Sequence, residues 1–430
     1  MFRAPLRSAV LLALFAAAPA ATAQNAETLV ERSQERARAV LDRAVDALGG
    51  PAAVRNVDRV KLTLEGPMWP RLQMPTPDAP FDAGSQQETL LVDLKDNRLH
   101  LEQRIAGAGF EGHTTTVIAN GEGTVYDHRA RTATPIPAAQ ASQQQFVQYY
   151  RRIPHLLLRQ ALDRSTTLRH LGQDTFDGRP HEVVTFVMPD AQQVALYVDA
   201  NTALVSKYEL LFTDPIVGED VSEIVFGDWT AQRDQRLPTR WTWRMAGERA
   251  AELKLGVQLN PALDERAFTV DAPGYARVAA VPQTLEPSVE ELGGGAYVVH
   301  NVAGQNQNSL VVEFADHVLV VEAPGSSDGS ERVIERIRAR SPGKPIRYVA
   351  MTHHHGDHIG GLRSYVAEGA TVVTTPRNRR VVEALAAAKQ SDRLAKEPKA
   401  PEFLLVDERR RVLTDGEQRV ELINIGPHPH

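Results

Sequence analysis

The stretch that decides how this chain reads is Ile346-Arg-Tyr-Val-Ala-Met351 followed by Thr352-His353-His354-His355-Gly356-Asp357-His358-Ile359-Gly360-Gly361. A short apolar run with strand character leads directly into four histidines and an aspartate packed into positions 353–358. His353 and His355 are two apart, so in an extended loop both imidazoles leave the backbone on the same side. Asp357 and His358 stand at the mouth of the next helix, where adjacent side chains diverge and can serve a second position nearby. Imidazole and carboxylate donors suit zinc, and iron and manganese accept the same set. A histidine run is commonly a solvated loop or a terminal tag, but this one is internal and follows a buried-type strand.

Around the motif the pattern is hairpins followed by strand-helix-strand units. Tyr297–Val299, Leu310–Phe314 and Val318–Val321 are apolar strands, the last two joined by a tight turn at Ala315-Asp316. A helix is expected over Ser330–Ala339, a strand over Ile346–Met351, and a helix from about Gly360 to Glu368. A strand at Thr371–Thr374 and a helix from Asn378 to about Leu394 follow, and Arg411–Leu413, an Asp415-Gly416 turn and Val420–Ile425 close the chain. That order predicts a layered α/β unit over 288–430. Gly293-Gly294-Gly295 precedes a strand rather than a helix, so it reads as a turn and not as a phosphate cradle. There is no G-x-S-x-G elbow and no P-loop. The chain has no cysteine, which removes disulfides, thiol catalysis and cysteine ligands.

The H-x-H-x-D-H spacing, with Thr352 before it and Gly360-Gly361 after it, resembles the metallo-β-lactamase-fold hydrolase superfamily. The resemblance implies an α/β sandwich in which His353 and His355 bind one metal and Asp357 and His358 bind a second. It leaves His354 and Gly356 in variable positions. The last histidine of the motif, absent from several classical β-lactamases of the superfamily, brings the pattern closer to the glyoxalase II, lactonase and third-subclass lactamase types. The family's next histidine follows a strand some tens of residues on, and Val420–Ile425 followed by Gly426-Pro427-His428-Pro429-His430 fits that description. By resemblance His430 completes the first metal's set, with His428 as the alternative and a chance surface pair as the plain reading. Where the family usually places an Asp at the end of a strand, Val318–Pro324 places Glu322. The family's bridging Asp and final His have no counterpart before the chain stops at His430, so the expectation is the first half only of the fold. The implied chemistry is hydrolysis of an ester, thioester, lactone or lactam by metal-bound hydroxide, with a phosphodiester also within reach, a pair of zinc ions in a complete protein, and Asp357 orienting the nucleophile.

Upstream the periodicity changes. Ala26–Leu48 has helical spacing and ends at Gly49-Gly50-Pro51. From Val60 to about Val270 the period is two, in Val60–Leu64, Leu90–Leu94, Leu99–Leu101, Glu182–Val187, Val194–Val198, Ser206–Phe212, Ser222–Phe226 and Arg240–Arg244. Asp96-Asn97, Asn120-Gly121 and Asp177-Gly178 supply the turns. One helical interruption is expected over Phe146–Leu162. A large antiparallel sheet needs a cover for one face, so the helices are expected to lie in it, giving an α+β half-barrel over 24–272. This element order resembles the LolA-like periplasmic lipoprotein-carrier fold, which implies a hydrophobic ligand in the N-terminal domain. The alternative is that the helices fill the sheet as an ordinary core. Pro273–Pro287 has no period and reads as a linker.

The leader is a signal peptide over 1–23: basic Arg3 and Arg7, an apolar run Ala9–Ala18, and Ala21-Thr22-Ala23 as the cleavage site. Its apolar run is too short for a membrane span, and no stable membrane insertion is expected. A formal net charge of −6 with no basic stripe argues against a nucleic-acid partner. The expected protein is therefore periplasmic or secreted and acts on a small-molecule substrate. Two other readings stand beside the hydrolase: a periplasmic hydrophobic-ligand carrier with a vestigial hydrolase half-domain, and a non-catalytic zinc-binding protein.

Overall fold

The computed structural model describes residues 27–70, 73, 76–78, 81–107, 109–138, 140–142, 149–269, 273–280, 285–302 and 307–426. The expected leader over 1–23, and both His428 and His430, lie outside the described residues.

Among the described residues, the period-two half of the sequence forms one 14-stranded sheet. Strand Arg59–Met68 sits at its middle, with Val60, Leu62 and Leu64 at 0–2% exposure on one face and Thr63 and Glu65 open on the other. On one side it meets Gly84–Asp93, Arg98–Gly107, Phe110–Ala119, Glu122–Asp127 and Thr132–Ile136 in sequence order. On the other it pairs with Glu248–Leu259, and the sheet then runs backwards in sequence through Arg240–Met245, Gly218–Gly227, Val205–Asp214, Gln193–Asp199 and Arg179–Val187 to Arg169–Phe176. The expected turns carry left-handed backbone at Asn97, at Asn120 and Gly121, and at Asp177 and Gly178, as tight hairpins require.

Helix Leu29–Ala47 starts with a capping box between Thr28 and Glu31 and buries Ala37, Val40, Leu41, Ala44 and Val45. Helix Pro154–Asp163 buries Leu156, Leu157 and Leu158 completely. Both belong to one hydrophobic core with Val60, Leu62, Leu90, Val92 and Leu99 of the sheet. The second helix is shorter than the expected Phe146–Leu162. Ile153 is extended (φ −130°, ψ 118°) because Pro154 crowds the residue before it out of the helical region, and Pro154 then serves as a first-turn residue. Positions 146–148 of that expectation lie outside the described residues.

The C-terminal sheet has seven strands in the order Ser288–Gly293, Ala296–His300, Ser309–Glu313, Val318–Val321, Ile346–Ala350, Thr371–Thr374 and Phe403–Leu405. Pairing is antiparallel through the first four strands and parallel among the last four. Adjacent residues split between two cores: Val311, Val320, Val349 and Val372 pack against helices Ser327–Arg340, Leu362–Glu368 and Arg379–Ala387. Val312, Leu319, Ala350 and Val373 pack on the other face, towards the hairpin Arg410–Thr414/Arg419–Ile423. The single helix expected over Asn378–Leu394 is two. Arg379–Ala387 stops, and Asp392 caps a new turn at Arg393–Lys396 by accepting from the Ala395 amide. Within the period-free stretch after residue 273, Ala276 and Arg277 pair in parallel with Thr132 and Ala133 and so extend the N-terminal sheet.

Candidate metal centre

Strand Ile346–Ala350 delivers the histidine loop at the carboxyl end of the parallel strands, where open α/β sheets present their binding residues. His355 is the N-cap of the turn Gly356–Ile359, its carbonyl accepting from the amides of His358 and Ile359. Gly360 and Gly361 are required by packing. A Cβ at Gly360 would overlap the Gly325 carbonyl oxygen, and one at Gly361 would overlap Ser330 Oγ. The loop is thereby pressed against the start of helix Ser327–Arg340, with the Ala323 amide donating to the His358 carbonyl at 3.0 Å.

The structure brings His353, His355, Asp357 and His358 together. The His353 ring lies 4.5 Å from that of His355 and 4.0 Å from that of His358, centroid to centroid. Asp357 and His358, expected to serve one second position, lie side by side, with His358 Nε2 facing Asp357 Oδ2 at 3.5 Å. The cause is Glu322, which holds the other ring nitrogen. His358 Nδ1 bonds one Glu322 oxygen, and the Thr352 amide donates to the other at 2.7 Å. Glu322 itself has left-handed backbone, φ 71°, an uncommon state for a residue with a long side chain. The residue that stands where an Asp was expected therefore has a job: it orients His358 and ties the motif to the preceding strand. A carboxylate on the far nitrogen is the usual way to fix the tautomer of a ligand histidine.

The second contact is one that sequence reading missed. Gln73, on a segment between two strands of the N-terminal sheet, donates through Nε2 to Asp357 Oδ1 at 2.8 Å. Burial alone would push the Asp357 carboxyl up. The Gln73 hydrogen bond and the nearby His358 and His355 more than offset it, holding the carboxyl below the usual range. His358 is raised above an ordinary histidine, first by its hydrogen bond to Glu322. His355 is 5% exposed and His354 9%, whereas Asp357 lies open. Among the described residues no group of three or more His, Asp and Glu side chains stands arranged to hold a metal ion. The donor chemistry still fits a zinc-type ion, with imidazoles and a carboxylate in mutual reach and a second carboxylate orienting one imidazole. Nothing in the sequence linked Gln73 to a site 284 positions away.

The fold and the loop define a class: an α/β unit with a histidine-rich metal motif at the carboxyl ends of its parallel strands. The metallo-β-lactamase superfamily sequence model matches residues 302–430, so that this part of the chain is a domain of that superfamily. The metallo-β-lactamase FIM-1 of Pseudomonas aeruginosa overlaps 31% of this chain at 20% identity and a TM-score of 0.23. A metallo-β-lactamase of Hirschia baltica overlaps 30% at 19% identity and 0.23. The chain spans 57% of the length of each of these two enzymes. The β-rich part before it is similar to a LolA superfamily protein of Nitrosomonas europaea, at 13% identity over 55% of this chain and 98% of that one, with a TM-score of 0.33. No helix among the described residues is long and apolar enough to cross a membrane.

Proposed function

We propose that the protein is an exported, metal-dependent hydrolase that cleaves an ester, thioester, lactone or lactam in the periplasm. The observation that carries this is the proximity of the His353 ring to those of His355 and His358, with Asp357 beside His358 and Glu322 bracing the loop. His353 and His355, with His430 as their third partner, would hold one zinc; Asp357 and His358 would hold a second. Iron or manganese would be accepted by the same donors. A bound ion supplies Lewis acidity for a carbonyl oxygen and makes nearby water acidic enough to react at neutral pH.

The chain's own residues do the rest. Glu322 fixes His358 through Nδ1, which leaves Nε2 pointing into the site. Gln73 holds one Asp357 oxygen, and the other, which faces His358 Nε2, would orient a water or meet the ion.

The test is metal content and turnover measured together. After zinc loading and dialysis, the wild type should retain zinc and hydrolyse p-nitrophenyl acetate. His355→Ala should lose bound zinc and at least about a hundredfold in kcat/KM. Equal zinc content and equal turnover in both proteins would remove the reading.

A further inference from the structure

A cavity of about 400 Å³ lies where the N-terminal sheet meets the C-terminal unit. Its floor includes His354, the histidine of the motif given no ligand role, whose ring is 4.9 Å from that of His355. One wall is helix Arg379–Ala387, which turns Val381 and Ala384 to the opening. The facing wall comes from the N-terminal sheet, through Val217 and Met245 at two hairpin turns, and from Phe81. Among the described residues the lining carries one carboxylate, Asp220, and neither lysine nor arginine. Small-ligand sites typically have this size and this mostly apolar character.

The opening is held by contacts on its rim. Ile216, from the turn after strand Val205–Asp214, is 9% exposed and belongs to the hydrophobic core of the C-terminal unit. The Glu219 amide donates to the Lys389 carbonyl at 2.6 Å, and Gln390 Nε2 donates to the Pro215 carbonyl at 2.9 Å. Gly218 lies between them with φ +83°, and a Cβ there would overlap the Lys389 carbonyl oxygen. At the motif itself, Gln73 reaches Asp357. The two halves of the chain thus touch at the rim of the cleft and at the histidine loop.

We infer that the substrate of this hydrolase carries a neutral, apolar acyl group that seats in this cleft, with the bond to be cleaved next to the histidine loop. The N-terminal sheet is then part of the substrate site. An anionic tail is disfavoured beside Asp220, which would repel it. The inference rests on the hydrolase reading for its chemistry, but its binding half can be tested without turnover.

Two measurements on the full chain decide it. In the first, zinc-loaded protein is given p-nitrophenyl acetate and p-nitrophenyl octanoate. The octanoate should be preferred in kcat/KM by at least about tenfold, and Ala384→Trp, which fills the cleft from an exposed helix position, should lower the octanoate-to-acetate ratio by about as much. No preference in the wild type, or an unchanged ratio in the variant, overturns the inference. In the second, neutral Nile red is titrated into chelator-treated protein. Binding should be displaced by methyl octanoate and weakened at least about tenfold in both Ala384→Trp and Val217→Glu, which reach the cleft from opposite walls. Binding that neither substitution affects places any apolar site elsewhere, beneath the N-terminal sheet, and overturns the inference. If neither ester is cleaved while Nile red binding is lost in both variants, the cleft stands and the hydrolase reading falls.

Discussion

The two sheets of this molecule use the same apolar residues in different ways. In the N-terminal sheet, burial alternates. Leu62 is fully buried while Thr63 beside it is open, as expected for an antiparallel sheet with one face on helices and one in water. In the C-terminal sheet neighbours are buried together: Leu319 and Val320 are both 0% exposed, and Val349 and Ala350 are 0% and 3%. A parallel sheet must be covered on both faces, so its strands read as continuous apolar runs rather than alternations. The difference also explains where the chemistry sits. Parallel strands all release their loops at one edge, and the histidine loop is there; an antiparallel meander sends successive loops to opposite edges and concentrates nothing.

The comparison breaks hardest at a single buried charge. Arg363 is 1% exposed, yet its guanidinium bonds both Asp392 oxygens and the carbonyls of Leu385, Ala386 and Ala388. It ends one helix, starts the next and locks the helical layer of the parallel sheet. Arg363→Met should cost about 3–5 kcal/mol in urea unfolding, because it strands Asp392 and three carbonyls. Burial would raise the Asp392 carboxyl, but hydrogen bonds from Arg363, the Ala395 amide and Ser327 bring it down to about 2. Its contribution should thus be complete above the ordinary 3.8 and vanish as pH falls towards 2. An acid titration of wild type against variant checks the window.

Next in size is the contrast of adjacent positions. Leu62→Ala should cost about 2–5 kcal/mol and Thr63→Ala about 0.5 or less. In the other sheet, Leu319→Ala and Val320→Ala should each cost more than about 1.5 kcal/mol, since neither neighbour faces water. Chemical denaturation of the four variants sharpens the comparison, and a cheap member of the second pair would undo it.

The last effect has the opposite sign. His155 is fully buried in the helix-filled core, and neither ring nitrogen has a hydrogen-bond partner among the described residues. Burial depresses it to about 4, with the nearby Leu48 backbone offsetting a little of that shift. A neutral buried histidine stabilises least where the unfolded chain takes up the proton. Its contribution is full above the ordinary 6.5 and falls away as pH drops towards 4. His155→Leu should stabilise the protein by about 1–2 kcal/mol at neutral pH and by more at pH 5. Thermal melts at the two pH values check both the sign and the trend.

Much of this was legible in the residues. Period-two alternation gave the antiparallel strands and their turns. The apolar run Ile346–Met351 announced the loop that carries His353, His355, Asp357 and His358. Proline and aspartate misled at two helix boundaries, because Ile153 before Pro154 and Asp392 before Arg393 override an otherwise continuous apolar pattern. What stayed hidden is contact between distant positions. Gln73 meeting Asp357, Glu322 meeting His358, Arg363 meeting Asp392 and Ile216 entering the second core leave no local trace. Each is decided by how the sheets dock, not by the neighbours of the residue in sequence.

Ile216 also changes what counts as a removable part. By composition the seam of this protein lies near residues 273–287, but by packing it runs through a hairpin turn some sixty positions earlier, where Ile216 is seated in the other half and Gly218 lets the backbones meet. A recombination that exchanged one half for a relative's at the seam would bring a foreign turn to that seat. The exchangeable unit is therefore the matched pair, turn and socket together.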